Sequence, residues 1–216
     1  MAQSENASPP LRELILWPSI LTLAVTLLRL VGELRHWSPR YFSSAAGGGA
    51  SLVGIVWLIP FVAIYFALRI GPRGGSATAA LKALGWALLA FVGTSALTFG
   101  GFALCRSPVG QLAIITATSW LGILAARRAA PTLWRVLLAY AFAARVPVLI
   151  VMAISIFGGL DTHYAKPRPD FPPMSPLGLF FWTALLPQFS VWIWFTVVGG
   201  LVFAALALLV ARRQPV

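Results

Sequence analysis

A chain of 216 residues in which 59% are hydrophobic and only 10% charged, with a mean hydropathy of +0.87, is too apolar for a soluble domain. Its formal net charge of +11 would suggest nucleic acid as the partner of a soluble protein, yet no basic stripe is interleaved with exposed aromatics, so nucleic acid is set aside. Six long apolar stretches instead predict an all-α polytopic membrane protein, a six-transmembrane-helix bundle over residues 14–211 that leaves no room for a separate extramembrane domain and has the lipid bilayer as its first partner.

Residues 1–13, polar and rich in Ser, Asn and Pro, read as a disordered cytoplasmic tail. The first span, about 14–34, exceeds the h-region of a signal peptide and is expected to stay as a span. Beyond it, Trp37, Tyr41 and Phe42 suit an interfacial aromatic belt. Gly47, Gly48 and Gly49 read as a flexible lead into the second span; with no Lys-Ser or Lys-Thr after them they are not a phosphate loop. That second span, about 51–70, has Pro60 near its middle and a helix stop at 71–75. The third, about 81–104, carries Gly85, Gly93, Gly100 and Gly101, which predict close backbone approach to a neighbour. A four-residue link makes it an antiparallel hairpin with the fourth, about 109–126. The fifth, about 133–157, contains Arg145 and Pro147. The last stretch, 177–211, is too long for one perpendicular crossing, so strong tilt, a break at Pro187 or an interfacial first turn is expected before the tail at 212–216.

Orientation follows from the basic residues. Nine fall on the side of the termini (Arg12, Arg69, Arg73, Lys82, Arg127, Arg128, Arg135, Arg212 and Arg213) and five on the other (Arg35, Arg40, Arg106, Lys166 and Arg168). The positive-inside bias therefore places both termini in the cytoplasm, with the plasma membrane as the expected location.

Only three formal charges fall well inside the spans: Arg29, Glu33 and Arg145. Arg145 is about 12 residues, or roughly 18 Å, from either end of its span, beyond the roughly 7 Å reach of a guanidinium seeking water. An uncompensated cation there costs at least about 2.5 kcal/mol, so it must face the bundle interior or a wet cavity. Helix depth offers Ser95, Thr118, Ser119 and Gln188 as its neighbours at a similar level. The carbonyl of Ala143, freed by Pro147, is a further candidate partner. A lone guanidinium among neutral hydroxyls and an amide suits an anionic group, because its fork offers paired hydrogen bonds. Arg29 and Glu33, four residues apart, share a helix face and are expected to form an ion pair or gate near the outer end.

The fifth connection, 158–176, is proline-rich and reads as a stiff outer cap. On the same face His36, Asp161 and His163 join Glu33 in a possible outer cluster, whose ligands come from separate loops with no metal-binding spacing, so no metal is assigned. A single cysteine, Cys105, excludes an intrachain disulfide and paired-cysteine haem or zinc sites. No enzyme signature is present, no histidine sits mid-span for a haem, and no cofactor is predicted.

Two functional readings stand side by side. One is a protein that binds, and moves, a small anionic or amphiphilic molecule, a lipid included, in a polar cavity around Arg145. The other is a non-catalytic scaffold or accessory subunit in which Arg145 cements helices or a partner membrane protein. An intramembrane enzyme built on Glu33, His36, Asp161 and His163 is a third reading, and it requires those four side chains to meet.

Overall fold

The computed structural model describes residues 10–48, 51–70, 76–169 and 171–211, and among them every regular element is helical. The tail at 1–9, the helix stop at 71–75, Gly49, Asp170 and the tail at 212–216 lie outside the described residues. Five helices are long and apolar enough to cross a bilayer: α1 (Leu11–Leu34), α3 (Ala77–Leu104), α4 (Pro108–Ala126), α5 (Pro131–Phe157) and α6 (Pro176–Ala211). Each begins within a few residues of the bound read from hydropathy. Helix α1 already includes Arg12 and Glu13, which the sequence placed in the tail. Helices α3, α4 and α6 start where a serine hydroxyl caps the first turn: Ser76 accepts from Ala79 N–H, Ser107 from Gly110 and Ser175 from Gly178.

The second apolar stretch departs from expectation. Helix α2 spans only Leu58–Ile70, after one 3-10 turn at Ile55–Trp57. Its 13 residues cover roughly 20 Å, short of the hydrocarbon thickness. Pro60 therefore sits in the first turn, where a missing N–H costs nothing, and not at mid-helix. Residues 51–54 remain irregular because their backbone is engaged elsewhere, as described below.

Helix α6 is the central element. Its C-terminal half packs between α2 and α3, and its N-terminal half packs on α4 and α5, while α5 also carries α1. The length problem foreseen for this stretch is resolved by irregularity. Two π-helical turns (Phe180–Leu185 and Phe195–Gly199) flank a break at Ser190, whose φ of −124° and ψ of −79° lie outside the helical region. Pro187 lies three residues before the break and just after the first π turn, as expected for a residue that cannot donate to the helical ladder.

Close approach by glycine is confined to few places. A Cβ on Gly101 would lie 2.7 Å from Ile114, so this glycine lets α3 meet α4, whereas Gly85, Gly93 and Gly100 have nothing within 4 Å and play no such part. Gly122 performs the equivalent role between α4 and α6: a Cβ there would lie 2.6 Å from Trp194 Nε1. Trp194 Nε1 in turn donates to Thr94 on α3 at 3.0 Å, tying three helices at one level.

Candidate functional site

A cavity of about 670 Å³ lies at the end of the bundle where the first and fifth connections meet. Helix α5 contributes Arg145, Val148 and Met152, three residues spaced along one face; α1 contributes Val25, Thr26 and Arg29; α4 contributes Gln111, Leu112 and Ile115 from its first turns. The irregular parts of the fold border the same space: Ser51 and Gly54–Trp57 ahead of α2, and Pro187, Gln188, Val191 and Trp192 around the break in α6. Non-helical backbone at membrane depth is tolerated where it lines a cavity or is buried in protein, so both irregularities fall where they are affordable.

Arg145 is 3% exposed. Among the described residues its one hydrogen bond runs from Nη2 to Thr196 Oγ1 at 3.5 Å, and its guanidinium carbon sits 5.0 Å from the centre of the Trp192 ring. Nε is buried without a partner, and among the described residues no carboxylate lies within ion-pair distance. Of five N–H donors, one is spent on a long bond. The freed Ala143 carbonyl does not compensate it, contrary to the expectation drawn from Pro147.

Gln188 joins Arg145 in the cavity wall, 7% exposed, with its amide nitrogen 3.4 Å from Met152 sulfur and its oxygen Oε1 unpartnered. The other three residues matched by depth do not line the cavity. Ser95 Oγ donates back to Phe91 O at 2.7 Å, Thr118 pairs with Thr98 at 2.6 Å across the α3–α4 contact, and Ser119 is buried deeper on α4 than Ile115. Helix depth gives height; the rotation of each helix turns these hydroxyls elsewhere. Sequence reading also missed Trp192 and Thr196. They follow Gln188 at steps of four, so a single face of α6 presents 188, 192 and 196, a spacing visible in the sequence.

Arg29 and Glu33 form the expected pair, Nε to Oε1 at 2.8 Å, and the pair does more than bridge one helix face. Arg29 Nη1 donates to Val53 O at 2.9 Å, and Nη2 donates to Gly48 O at 2.8 Å and to Ser43 O at 3.4 Å. These bonds satisfy carbonyls that have no helical partner and hold the first connection out of helix. Gly48, with φ +80° and a position where an added Cβ would lie 2.7 Å from Arg29 Nη2, is pinned and not a flexible lead. Glu33, 1% exposed, accepts from His163 twice: backbone N–H to Oε2 at 2.8 Å and ring Nδ1 to Oε1 at 2.5 Å. The first and fifth connections are thus joined through one carboxylate.

The four-residue outer cluster does not assemble. Only Glu33 and His163 meet. Asp161 is exposed and paired with Lys166 at 2.6 Å, which holds its carboxyl below the usual range. His36 ends α1: with φ 52° it occupies the left-handed cap position, its N–H donating to Glu33 O at 3.0 Å and the Trp37 N–H donating to Gly32 O at 2.9 Å, the paired bonds of a Schellman motif. Burial pushes the His163 imidazole down, against the pull of Glu33, and burial also pushes the neighbouring Tyr164 hydroxyl up. Since Glu33 accepts, a neutral His163 carries its proton on Nδ1. Among the described residues no group of three or more His, Cys, Asp and Glu side chains is placed to hold a metal ion.

No protein-family model, no curated protein and no solved structure matches this chain.

Proposed function

We propose that the protein is a six-span component of the plasma membrane, with both termini cytoplasmic, that binds and moves a small anionic or amphiphilic molecule in the cavity around Arg145. The short α2 and its irregular lead make up the sixth crossing, and the cavity opens toward the outer face. The observation that carries this reading is a buried guanidinium with one long hydrogen bond and no carboxylate partner among the described residues, and with open volume beside it. The setting supports it: Arg29, Lys166 and Arg168 also border the cavity, and none of its described lining residues is Asp or Glu. Its apolar wall suits a ligand with an apolar body.

The test is titration of the purified protein in detergent with short-chain carboxylates and phosphates. Arg145→Gln, which keeps a polar hydrogen-bonding side chain but removes its charge, is expected to weaken anion binding at least tenfold. Unchanged anion affinity in a folded Arg145→Gln protein refutes the proposal.

The contacts of Arg145 with Thr196 and Trp192 favour a second reading, the scaffold, in which the cation serves to lock α5 to α6. That reading predicts that a stoichiometric membrane partner copurifies and that Arg145→Gln lowers stability without altering any ligand affinity.

A further inference from the structure

The cations of the cavity are not equivalent. At its mouth Lys166 is matched by Asp161 at 2.6 Å, and Arg29 is matched by Glu33 and spends its other donors on backbone carbonyls. Arg168 lies 5.8 Å from the Phe171 ring centre. Among the described residues the deep guanidinium of Arg145 has no carboxylate within ion-pair distance and a single long hydrogen bond. Between floor and mouth the α5 wall is Val148 and Met152, roughly 10 Å of helix from Arg145, with Val25 also lining the space.

We infer that the ligand is an amphiphile with one anionic group, held anion-first, its single carboxylate or phosphate on Arg145 at the cavity floor and its apolar body running along Val148 and Met152 toward the mouth. The inference rests on the anion-binding reading of Arg145 and narrows it to polarity and orientation. A second anionic group eight carbons away would fall against the apolar wall, or beside mouth cations that already have partners, and would lose its hydration without gaining a counter-charge. The orientation is opposite to that of a bilayer lipid, whose head group stays at the interface.

The experiment is calorimetric titration of the full chain in detergent with acetate, butyrate, hexanoate, octanoate, octanedioate, octyl phosphate and inorganic phosphate, on wild type, Arg145→Gln and Val148→Phe. For the monoacids, affinity is expected to rise about fourfold per methylene up to octanoate. Octanedioate is expected to bind at least tenfold more weakly than octanoate, and Val148→Phe to flatten the dependence of affinity on chain length. Octyl phosphate binding above octanoate assigns the anion as a phosphate ester; octanoate binding above octyl phosphate assigns a free carboxylate; either supports a ligand with one anionic group bound anion-first. Octanedioate binding as tightly as octanoate overturns this inference while the Arg145 site stands, because a second anion has then found a home at the mouth. Binding of every acid unaffected by Arg145→Gln overturns both.

Discussion

Arg29 and Arg145 are the same residue type inside the same class of apolar helix, and they meet opposite fates. Arg29 is saturated by one carboxylate and three carbonyls, whereas Arg145 has one long hydrogen bond and an aromatic face. The first is an organiser of backbone and the second is left for something else. Removing the carboxylate at the centre of the organised group leaves the half-buried Arg29 without its counter-charge, so Glu33→Gln is expected to cost about 3 kcal/mol of stability, read as a lower unfolding midpoint in detergent. His163 adds a pH dependence. Its folded-state pKa lies below the ordinary 6.5 because the ring is buried, so the folded protein binds fewer protons than the unfolded chain as pH falls through 6.5. Its contribution is complete above 6.5 and is lost as pH drops through that value toward the lower folded one. Thermal unfolding followed from about pH 7 to about pH 5 should show a steeper fall for wild type than for His163→Asn, which keeps a donor toward Glu33 but cannot titrate. Parallel curves would remove His163 as the source.

At the level of helices and connections, the sequence is informative about length and poor about rotation. The bounds of α3, α4 and α5 are legible because apolar runs end at charges, prolines and serine caps. Arg145 is legible as an anomaly, and the Arg29–Glu33 pair as an i,i+4 spacing. What is hidden is everything set by azimuth or by long-range contact: Thr118 turns to Thr98, and Glu33 finds a histidine 130 residues away. Hydropathy also reads residues 51–57 as helix, because a window of apolar side chains cannot register that Arg29 has claimed the backbone. The first connection offers a sharp check on that claim. Gly47 and Gly48 both have positive φ, but a Cβ on Gly47 meets nothing within 4 Å while one on Gly48 meets Arg29 at 2.7 Å. Gly47→Ala should cost only the left-handed strain, about 1 kcal/mol, and Gly48→Ala clearly more, about 2 to 3 kcal/mol. Equal losses on thermal unfolding would mean that Arg29 does not hold this loop.

For the molecule as a whole, five long apolar helices and one short one form the described bundle, and the cavity and the group of Arg29, Glu33 and His163 lie at one end of it. The opposite end carries Arg127 and Arg128 over the faces of Trp134 and Trp86, the arrangement expected where cations and aromatic rings meet an anionic membrane surface. If the termini are cytoplasmic, a reporter active only in the cytoplasm should work when fused after Val216 and fail when inserted in the proline-rich stretch near Pro172. Activity at both positions would sink the six-span topology. The carboxylate that joins the two connections also bears on time. To widen the cavity mouth by separating those loops, three hydrogen bonds to Glu33 and those from Arg29 to the first connection have to rupture together, away from bulk water. Exchange of whatever occupies the interior would then be slow, governed by the lifetime of this clasp, and residence times would shorten when it is loosened even if equilibrium affinity barely changes.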